Sequence, residues 1–254
     1  MPILPPSRFF PPAEEAGPEG LVGLSSDLSP ERLLDAYRHG IFPWPMGNVD
    51  DLVPWWSPDP RAIIPLDAFH VPRRLWRTVH SGRFTATADR CFPEVIRRCA
   101  QVRRPQEGTW LTPGMRRAYG RLHELGFAHS VEVWCEGQLA GGVYGVALGG
   151  MFAGESMFHA ERDASKVALV HLVCHLCRRG YTLFDIQQWT PHTGQFGAVE
   201  MDRRRFLRRL ATALEQPVSF GEATVLEEPP DHSIARCCSA FRTISPEASR
   251  SRQR

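Results

Sequence analysis

Residues 129–158 read "HSVEVWCEGQLAGGVYGVALGGMFAGESMF", and this stretch decides the class of fold. Residues that favour strands dominate it, Glu136-Gly137 is a turn signal, and the other glycines mark places where strands bend or approach a ligand. We therefore predict an antiparallel meander. The elements predicted after it are a helix at about 164–179, a strand at 182–187, an arginine-rich helix at 202–214 and a final strand near 217–220.

A meander followed by helix, strand and helix is typical of an α+β protein. The order suits an N-acyltransferase-like (GNAT-like) domain with a mixed, largely antiparallel sheet. In such a sheet a V-shaped opening between two strands receives the acyl donor. This expectation rests on fold analogy, so the function has to be argued from individual residues.

The sequence before the meander predicts a separate small domain. Residues 1–20 are rich in Pro and Glu and indicate an extended arm. In "DLSPERLLDAYRHG", Ser29 suits an N-cap, Pro30 the first helical position, and Gly40 the end of a helix. We predict an arm at 1–20, a small N-terminal domain at 21–80, an N-acyltransferase-like catalytic domain at 81–224 and a flexible tail at 225–254.

Composition bounds the function without defining it. The chain has 254 residues, 43% of them hydrophobic, and a formal net charge of +2, which excludes a strongly polycationic protein. It contains no run of 18 apolar residues and no recognisable signal peptide, and its seven cysteines lack a regular framework. We therefore expect reduced thiols and a cytoplasmic protein.

Arginine is the dominant cation of the chain. Arginine doublets recur along the sequence, and residues 203–205 form a triplet. Solvated helix faces and a phosphate-binding surface explain this pattern equally well, because the sequence does not reveal whether the arginines share one face.

Glu155 and Lys166 are unusual in their settings. Glu155 lies in the apolar run "MFAGESMF", where a carboxylate needs a partner or its pKa rises. A cationic substrate group would supply that partner; a strand-end Glu facing water, or one paired with an arginine, is the plainer alternative. Lys166 is the single lysine among 30 cationic residues. It is a candidate phosphate ligand, or a lysine by chance.

Two further segments contain candidate chemical groups. In "FDIQQWTPH", Asp185 and Gln187 share one face of a strand end, as either an orienting pair or loop-fixing hydrogen bonds. In "HLVCHLC", two histidines and a cysteine share a helix face, but no second Cys/His segment completes a zinc site, so core packing is favoured. The helix after the meander lacks a Gly-rich turn for pyrophosphate, which disfavours coenzyme A. We predict no cofactor and no metal.

Six ordered segments resemble the bacterial leucyl/phenylalanyl-tRNA–protein transferase family, and together they cover about residues 20–215. The resemblance implies an enzyme that moves Leu or Phe from its charged tRNA to the α-amine of a protein with N-terminal Arg or Lys, which marks that protein for degradation. It also implies a C-terminal domain with the N-acyltransferase fold. The segments are "DLSPERLLDAYRHGIFPW", "WWSPDPRAII", "GTWLTPGMRRAYGRLHELGFAHSVEVW", "GGVYGVALGGMFAGESMF", "ASKVAL" and "HTGQFGAVEMDRRRFL".

The resemblance also implies roles for individual residues. The expected catalytic residues are Asp185, Gln187 and Glu155, with Glu155 facing the cationic side chain of the acceptor. The expected substrate-binding residues are Trp44 and Trp110 for the aminoacyl-adenosine, Phe152 in the site, and Val143, Leu172 and Leu176 for the transferred side chain. Lys166 remains a possible tRNA contact, and the expected protein is a monomer without a membrane partner.

Two alternatives stay open at this point. One is a coenzyme-A-dependent N-acetyltransferase, against which the missing Gly-rich turn argues. The other is a non-catalytic tRNA-binding adaptor, which accounts for the arginines but leaves Glu155 and the Asp185–Gln187 pair without a purpose.

Overall fold

A computed structural model describes residues 3–45, 52–102 and 111–229 of the chain. Within these residues the protein is an α+β structure, as predicted. Trp110 and residues 230–254 of the expected tail lie outside the described residues, so nothing is concluded about them.

The meander and the helices around it form where local sequence signals are strong. The helices are α1 Pro30–Arg38, α2 Arg73–Val79, α3 Phe92–Cys99, α4 Pro113–Glu124, α5 Ala164–Arg179, α6 Pro191–Gly194 and α7 Arg203–Leu214, with short 3-10 helices at Ala13–Glu15 and Leu66–Ala68. The strands are β1 Leu21–Ser25, β2 Phe42–Pro43, β3 Val53–Trp56, β4 Arg61–Ile64, β5 Thr85–Ala88, β6 Ala128–Cys135, β7 Gln138–Leu148, β8 Met151–His159, β9 Leu183–Gln187, β10 Val199–Met201 and β11 Thr224–Val225.

The described strands form two sheets. The larger has eight strands in the order β10-β4-β9-β8-β7-β6-β5-β11, and the smaller has three in the order β1-β3-β2. Every neighbouring pair in the larger sheet is antiparallel except β8–β9, which is parallel because α5 crosses over between them. The predicted mixed, largely antiparallel sheet is therefore confirmed.

One predicted strand is wrong. Residues 217–220 form no strand, and the last strand, β11, pairs with β5 at the edge of the sheet. Phe220 from this segment instead stacks on Phe152 with ring centroids 5.7 Å apart. This segment is therefore a loop with an aromatic side chain that packs on the core.

The domain division predicted from the sequence differs from the way the sheets are built. The three-stranded sheet ends with Trp56, whereas β4, which the prediction assigns to the small domain, pairs with β9 and β10 in the large sheet. The arm lies on α1: the Ser7 hydroxyl bonds to the Asp35 carboxylate, and His39 bonds to the carbonyl of Pro5 at 3.0 Å.

A bulge in β8 determines the direction of the Glu155 side chain. Gly145 of β7 is opposite Gly154 of β8, and Tyr144 is opposite Ser156, so Glu155 is an additional residue without a partner across the strands. Gly145 permits this close approach, because a Cβ there would lie 2.2 Å from the carbonyl oxygen of Ala153. The bulge presents the Glu155 side chain to the same side of the sheet as α1 and α4.

The two faces of the large sheet carry different helices. One core includes buried residues of α1, α3, α4 and α7, and the other includes buried residues of α2 and α5. Helix α5 is buried almost continuously from Ala164 to Leu176, which explains its weak amphipathic pattern.

No helix in the described part of the chain combines the length and the apolar character that a membrane span requires.

Candidate functional site

A cavity of about 370 Å³ opens beside the parallel strands β8 and β9. It brings together four of the residues singled out from the sequence: Trp44, Val143, Glu155 and Gln187. They come from the small sheet region and from β7, β8 and β9, so the fold gathers residues that are more than a hundred positions apart. Apolar groups that complete the wall include Phe42, Ile64, Met157, Leu169, Phe184 and Ile186.

Five other predicted site residues do not line this cavity in the described part of the chain: Asp185, Lys166, Phe152, Leu172 and Leu176. Phe152, Leu172 and Leu176 are at most 1% exposed and belong to the core between the sheet and α5. On α5 the residue at the cavity wall is Leu169, one turn before Leu172. Phe152 supports the wall from behind, with its ring 5.9 Å from that of Phe184. Trp110 lies outside the described residues.

Glu155 is held by two tyrosines. The hydroxyl of Tyr37 donates to Oε1 of Glu155 at 2.7 Å, and the hydroxyl of Tyr119 donates to Oε2 at 2.9 Å. The two hydroxyls also lie 2.6 Å from each other. Both tyrosines are essentially fully buried, so the carboxylate is fixed between α1 and α4 while the residue keeps partial exposure at the cavity.

The environment of Glu155 disfavours its charge. Burial raises the pKa of Glu155 from its ordinary value to about 7; the bonds from Tyr37 and Tyr119 oppose this increase, and the negative charge of Asp185 adds to it. Among the described residues no arginine, lysine or histidine forms an ion pair with Glu155. The free site therefore holds a carboxylate that would gain from a cationic partner.

This carboxylate reduces the stability of the folded chain at neutral pH. Because its folded pKa is raised, its contribution to stability is present below the unfolded pKa of about 4.5 and is lost as the pH rises towards 7. We expect Glu155→Gln to be more stable than the wild type above pH 7, by on the order of 1–2 kcal/mol with exposure to the cavity allowed for. Thermal unfolding at pH 5 and pH 8 measures this: the difference in Tm should grow with pH, and a constant difference would contradict it.

Asp185 is occupied by a buried ion pair. Nε of Arg61 lies 2.8 Å from Oδ1 of Asp185 and Nη2 lies 2.6 Å from Oδ2, so the contact is bidentate. Both side chains are 1–2% exposed. The guanidinium also donates to the carbonyl of Gly40 at 2.9 Å and lies between the rings of Phe42 and Phe206. An acid engaged in this way holds its surroundings in place.

Asp185 positions Gln187. Its Oδ1 accepts the backbone N–H of Gln187 at 3.0 Å, and Gln187 has a φ of +60°, in the left-handed region that a non-glycine residue adopts only with support. The Gln187 side-chain nitrogen faces Oε1 of Glu155 at 3.5 Å. That orientation leaves the amide oxygen available as an acceptor in the cavity.

Lys166 is not among the described residues that line the cavity. Its Nζ is 3.2 Å from Oδ1 of Asp163, and its side chain is 32% exposed. Burial lowers the pKa of His192, which lines the cavity, and electrostatic interactions with Lys166 and His159 lower it further.

Sequence reasoning missed Arg61 and Tyr37. A signal for Arg61 is present in "PDPRAIIP", where one arginine precedes a short apolar strand and has to find a buried partner. No comparable signal identifies Tyr37, because an aromatic residue on an amphipathic helix is usually a core residue. Among the described residues no group of three or more His, Cys, Asp and Glu could hold a metal ion.

Comparison with known proteins identifies the family. The family model described as "Leucyl/phenylalanyl-tRNA protein transferase" matches residues 63–211, and the model for the N-terminal domain of that family matches residues 26–59. A solved structure, L-PGS from Bacillus licheniformis, matches 65% of this chain and 55% of its own at 14% identity with a TM-score of 0.38, which is too weak to argue from.

Two curated relatives cover most of the chain. The leucyl/phenylalanyl-tRNA–protein transferase of Nitratidesulfovibrio vulgaris strain DP4 is 57% identical over 214 residues, which are 84% of this chain and 91% of the relative. The protein of the same name from Magnetococcus marinus is 52% identical over 217 residues, with the same two shares. This chain belongs to the leucyl/phenylalanyl-tRNA protein transferase family.

Proposed function

We propose that the protein transfers Leu or Phe from charged tRNA to the α-amine of proteins that begin with Arg or Lys. The observation that supports this most directly is the cavity shared by Trp44, Glu155 and Gln187, in which a tethered carboxylate lies beside an amide acceptor and an apolar wall. The added residue marks the acceptor for degradation.

Glu155 is the proposed partner of the acceptor's cationic side chain. An incoming guanidinium or ammonium supplies the charge that the buried carboxylate lacks, and binding therefore lowers its pKa from about 7. Tyr37 and Tyr119 hold both carboxylate oxygens, which fixes the direction from which the cation approaches. An uncharged first residue gains nothing comparable from this contact.

The transfer needs positioning more than strong acid–base chemistry. The C–O bond of the aminoacyl ester breaks and the C–N bond of an amide forms, so the amine loses a proton and the ribose oxygen gains one. An α-amine with a pKa near 8 is partly free at neutral pH, and the ester is already activated. Gln187 is the proposed acceptor that aims the amine, Asp185 holds Gln187, and the neighbouring ribose hydroxyl relays the proton.

The transferred side chain is proposed to enter the apolar part of the cavity. Val143, Met157, Leu169 and Phe184 line this part, and Trp44 stands at the side of the small sheet, where it suits stacking on adenine. Aliphatic and aromatic groups both fit such a wall, and one or two of these groups give only about 1–3 kcal/mol of discrimination. This agrees with acceptance of both Leu and Phe.

Gln187→Ala tests the proposed role of the amide. We expect kcat for transfer to fall by on the order of 10²-fold with little change in the KM for the acceptor, because the lost bond aims the amine rather than binding the peptide. Single-turnover transfer from Leu-tRNA to an Arg-started peptide measures this. An unchanged kcat with a raised KM would refute the role.

One experiment separates the proposed function from its alternatives. Wild-type protein is incubated with labelled Leu-tRNA and an Arg-started peptide, and separately with acetyl-CoA and the same peptide. Labelled peptide in the first mixture supports aminoacyl transfer. Acetylated peptide would support a coenzyme-A enzyme, and tRNA binding without product would support an adaptor.

The proposed setting is the cytoplasm, where charged tRNA and protein N-termini meet. The protein is proposed to work as a monomer, because each residue assigned a role in the transfer lies in one chain. It is also proposed to need no cofactor. A single species in sedimentation and activity after dialysis against chelator are the expected results.

A further inference from the structure

Helix α7 carries an unbalanced strip of positive charge. Arg204, Arg205, Arg208 and Arg209 are exposed, whereas Phe206 and Leu207 between them are at most 1% exposed. Arg205, Arg208 and Arg209 border a surface depression together with Thr182 and Thr212. We call these four exposed arginines the α7 arginine face.

The charges on this face oppose formation of the helix. The first turn of α7 has no acidic residue and the last turn has no basic one, which is the reverse of what the helix dipole favours. Arg204–Arg208 and Arg205–Arg209 are like-charge pairs four residues apart, and each costs a few tenths of a kcal/mol. Such an arrangement is expected where an external anion binds.

Some other exposed arginines have carboxylate partners, whereas Arg73, Arg74 and Arg77 of α2 are also exposed without an ion pair to a described residue. Arg97 bonds to Glu94 at 2.7 Å, and Arg121 bonds to Glu124 at 2.6 Å. None of the α7 arginine face forms an ion pair with a described residue. The carboxylates nearest in sequence do not pair with this face: Asp202 caps the backbone N–H of Arg205 at 2.8 Å, and Glu200 and Glu215 are exposed residues without an ion pair to a described residue.

The opposite side of α7 belongs to the support of the candidate site. The Phe206 ring lies 4.5 Å below the guanidinium carbon of Arg61, which holds Asp185. Thr182, at the border of the depression, directly precedes β9, and Gln187 ends that strand. Five residues of extended strand separate Thr182 from Gln187 by roughly 17 Å. A polyanion whose end occupies the cavity can reach this face.

We propose that the α7 arginine face binds phosphodiester groups of the aminoacyl-tRNA, beyond the aminoacyl-adenosine in the cavity. The inference rests on the proposed function. Arginine forks and threonine hydroxyls are common donors to phosphate oxygens, and such contacts fix register without reading sequence. Arg205 and Arg209 lie about one helical turn apart on α7. Two cations at this spacing suit a chain of evenly spaced negative charges better than a single anion.

The test compares the α7 double variant Arg205→Gln/Arg209→Gln with the control Arg97→Gln/Arg121→Gln. The control removes the same net charge, but at arginines that already have carboxylate partners. Each is assayed with full-length Phe-tRNA and with phenylalanyl-adenosine, which lacks the tRNA body. We expect the α7 double variant to lose about tenfold in kcat/KM with Phe-tRNA through a raised KM, and nothing with phenylalanyl-adenosine. The slope of log Kd for tRNA against log salt should decrease in magnitude by about 1–2.

The outcomes are separable. Equal tRNA affinity and equal salt dependence for the α7 double variant and the control would overturn the inference, and would direct attention to an acidic protein as the ligand of this face. An equal loss with phenylalanyl-adenosine would also overturn it, because the effect would then come from the site itself. Failure of the wild type to transfer either donor would instead count against the proposed function.

Discussion

Arg61→Met is expected to lower the free energy of unfolding by about 3–5 kcal/mol, because it leaves the carboxylate of Asp185 buried without its cation. Asp185 is 2% exposed, so water does not replace the bidentate contact. Transfer activity should be lost as well, since Asp185 holds the backbone N–H of Gln187. Urea unfolding followed by circular dichroism gives the stability, and a folded fraction measured at the assay temperature separates unfolding from loss of chemistry.

The control is Arg61→Met/Asp185→Leu. Replacement of both partners by apolar groups removes the unpaired charge and should recover most of the stability. It should not recover activity, because the leucine offers no acceptor to the N–H of Gln187. Wild-type stability in the Arg61→Met variant would show that Asp185 does not depend on this partner, and full activity in the double variant would remove the positioning role of Asp185.

Glu155→Gln is expected to reduce kcat/KM for Arg- and Lys-started acceptors by about 10- to 150-fold. The figure corresponds to the loss of one charge-assisted contact worth on the order of 1.5–3 kcal/mol. The amide keeps the shape of the side chain and can still bond to the hydroxyls of Tyr37 and Tyr119. The measurement is transfer from Leu-tRNA to peptides that differ only in their first residue.

An Ala-started peptide provides the internal control, because it presents no cation to the carboxylate. The kcat/KM for the Ala-started peptide should be the same in Glu155→Gln as in the wild type. The ratio of kcat/KM for the Arg-started peptide to that for the Ala-started peptide should therefore decrease. Tyr119→Phe is a matched variant that keeps the carboxylate but removes one donor to it. It should weaken Arg-started acceptors less than Glu155→Gln does. An Arg-over-Ala preference equal to that of the wild type in Glu155→Gln would exclude Glu155 as the partner of the acceptor.

The sequence alone predicted the elements that depend on local signals. Helix α1 follows from Pro30 and the apolar spacing after it, and the β6–β7 hairpin follows from Glu136-Gly137, whose φ angles of 50° and 75° suit that turn. Glu155 and Gln187 were identified because each is a polar group in a setting that does not explain it. Their presence at one cavity is a property of the fold.

The parts of the site that the sequence did not predict depend on contacts between residues far apart in the chain. Arg61 and Asp185 are 124 positions apart, and Tyr37 and Glu155 are 118 apart. Helix α5 poses a different problem. Since nearly all of its residues are buried, periodicity does not distinguish the side near the cavity from the rest. The family resemblance assigned Leu172 and Leu176 to the pocket for the transferred side chain, and that assignment stays a prediction, whereas Leu169 lines the cavity.

The bulge in β8 separates the proposed contact of Glu155 with the acceptor from the pairing of the strands. Gly154 and Ser156 keep their partners on β7 whatever residue stands between them, so the ladder does not depend on Glu155. A substitution at this position can therefore change the charge presented to the cavity without a change in the sequence of the flanking strand residues. Residue 155 can therefore be exchanged while the pairing of β7 with β8 is kept.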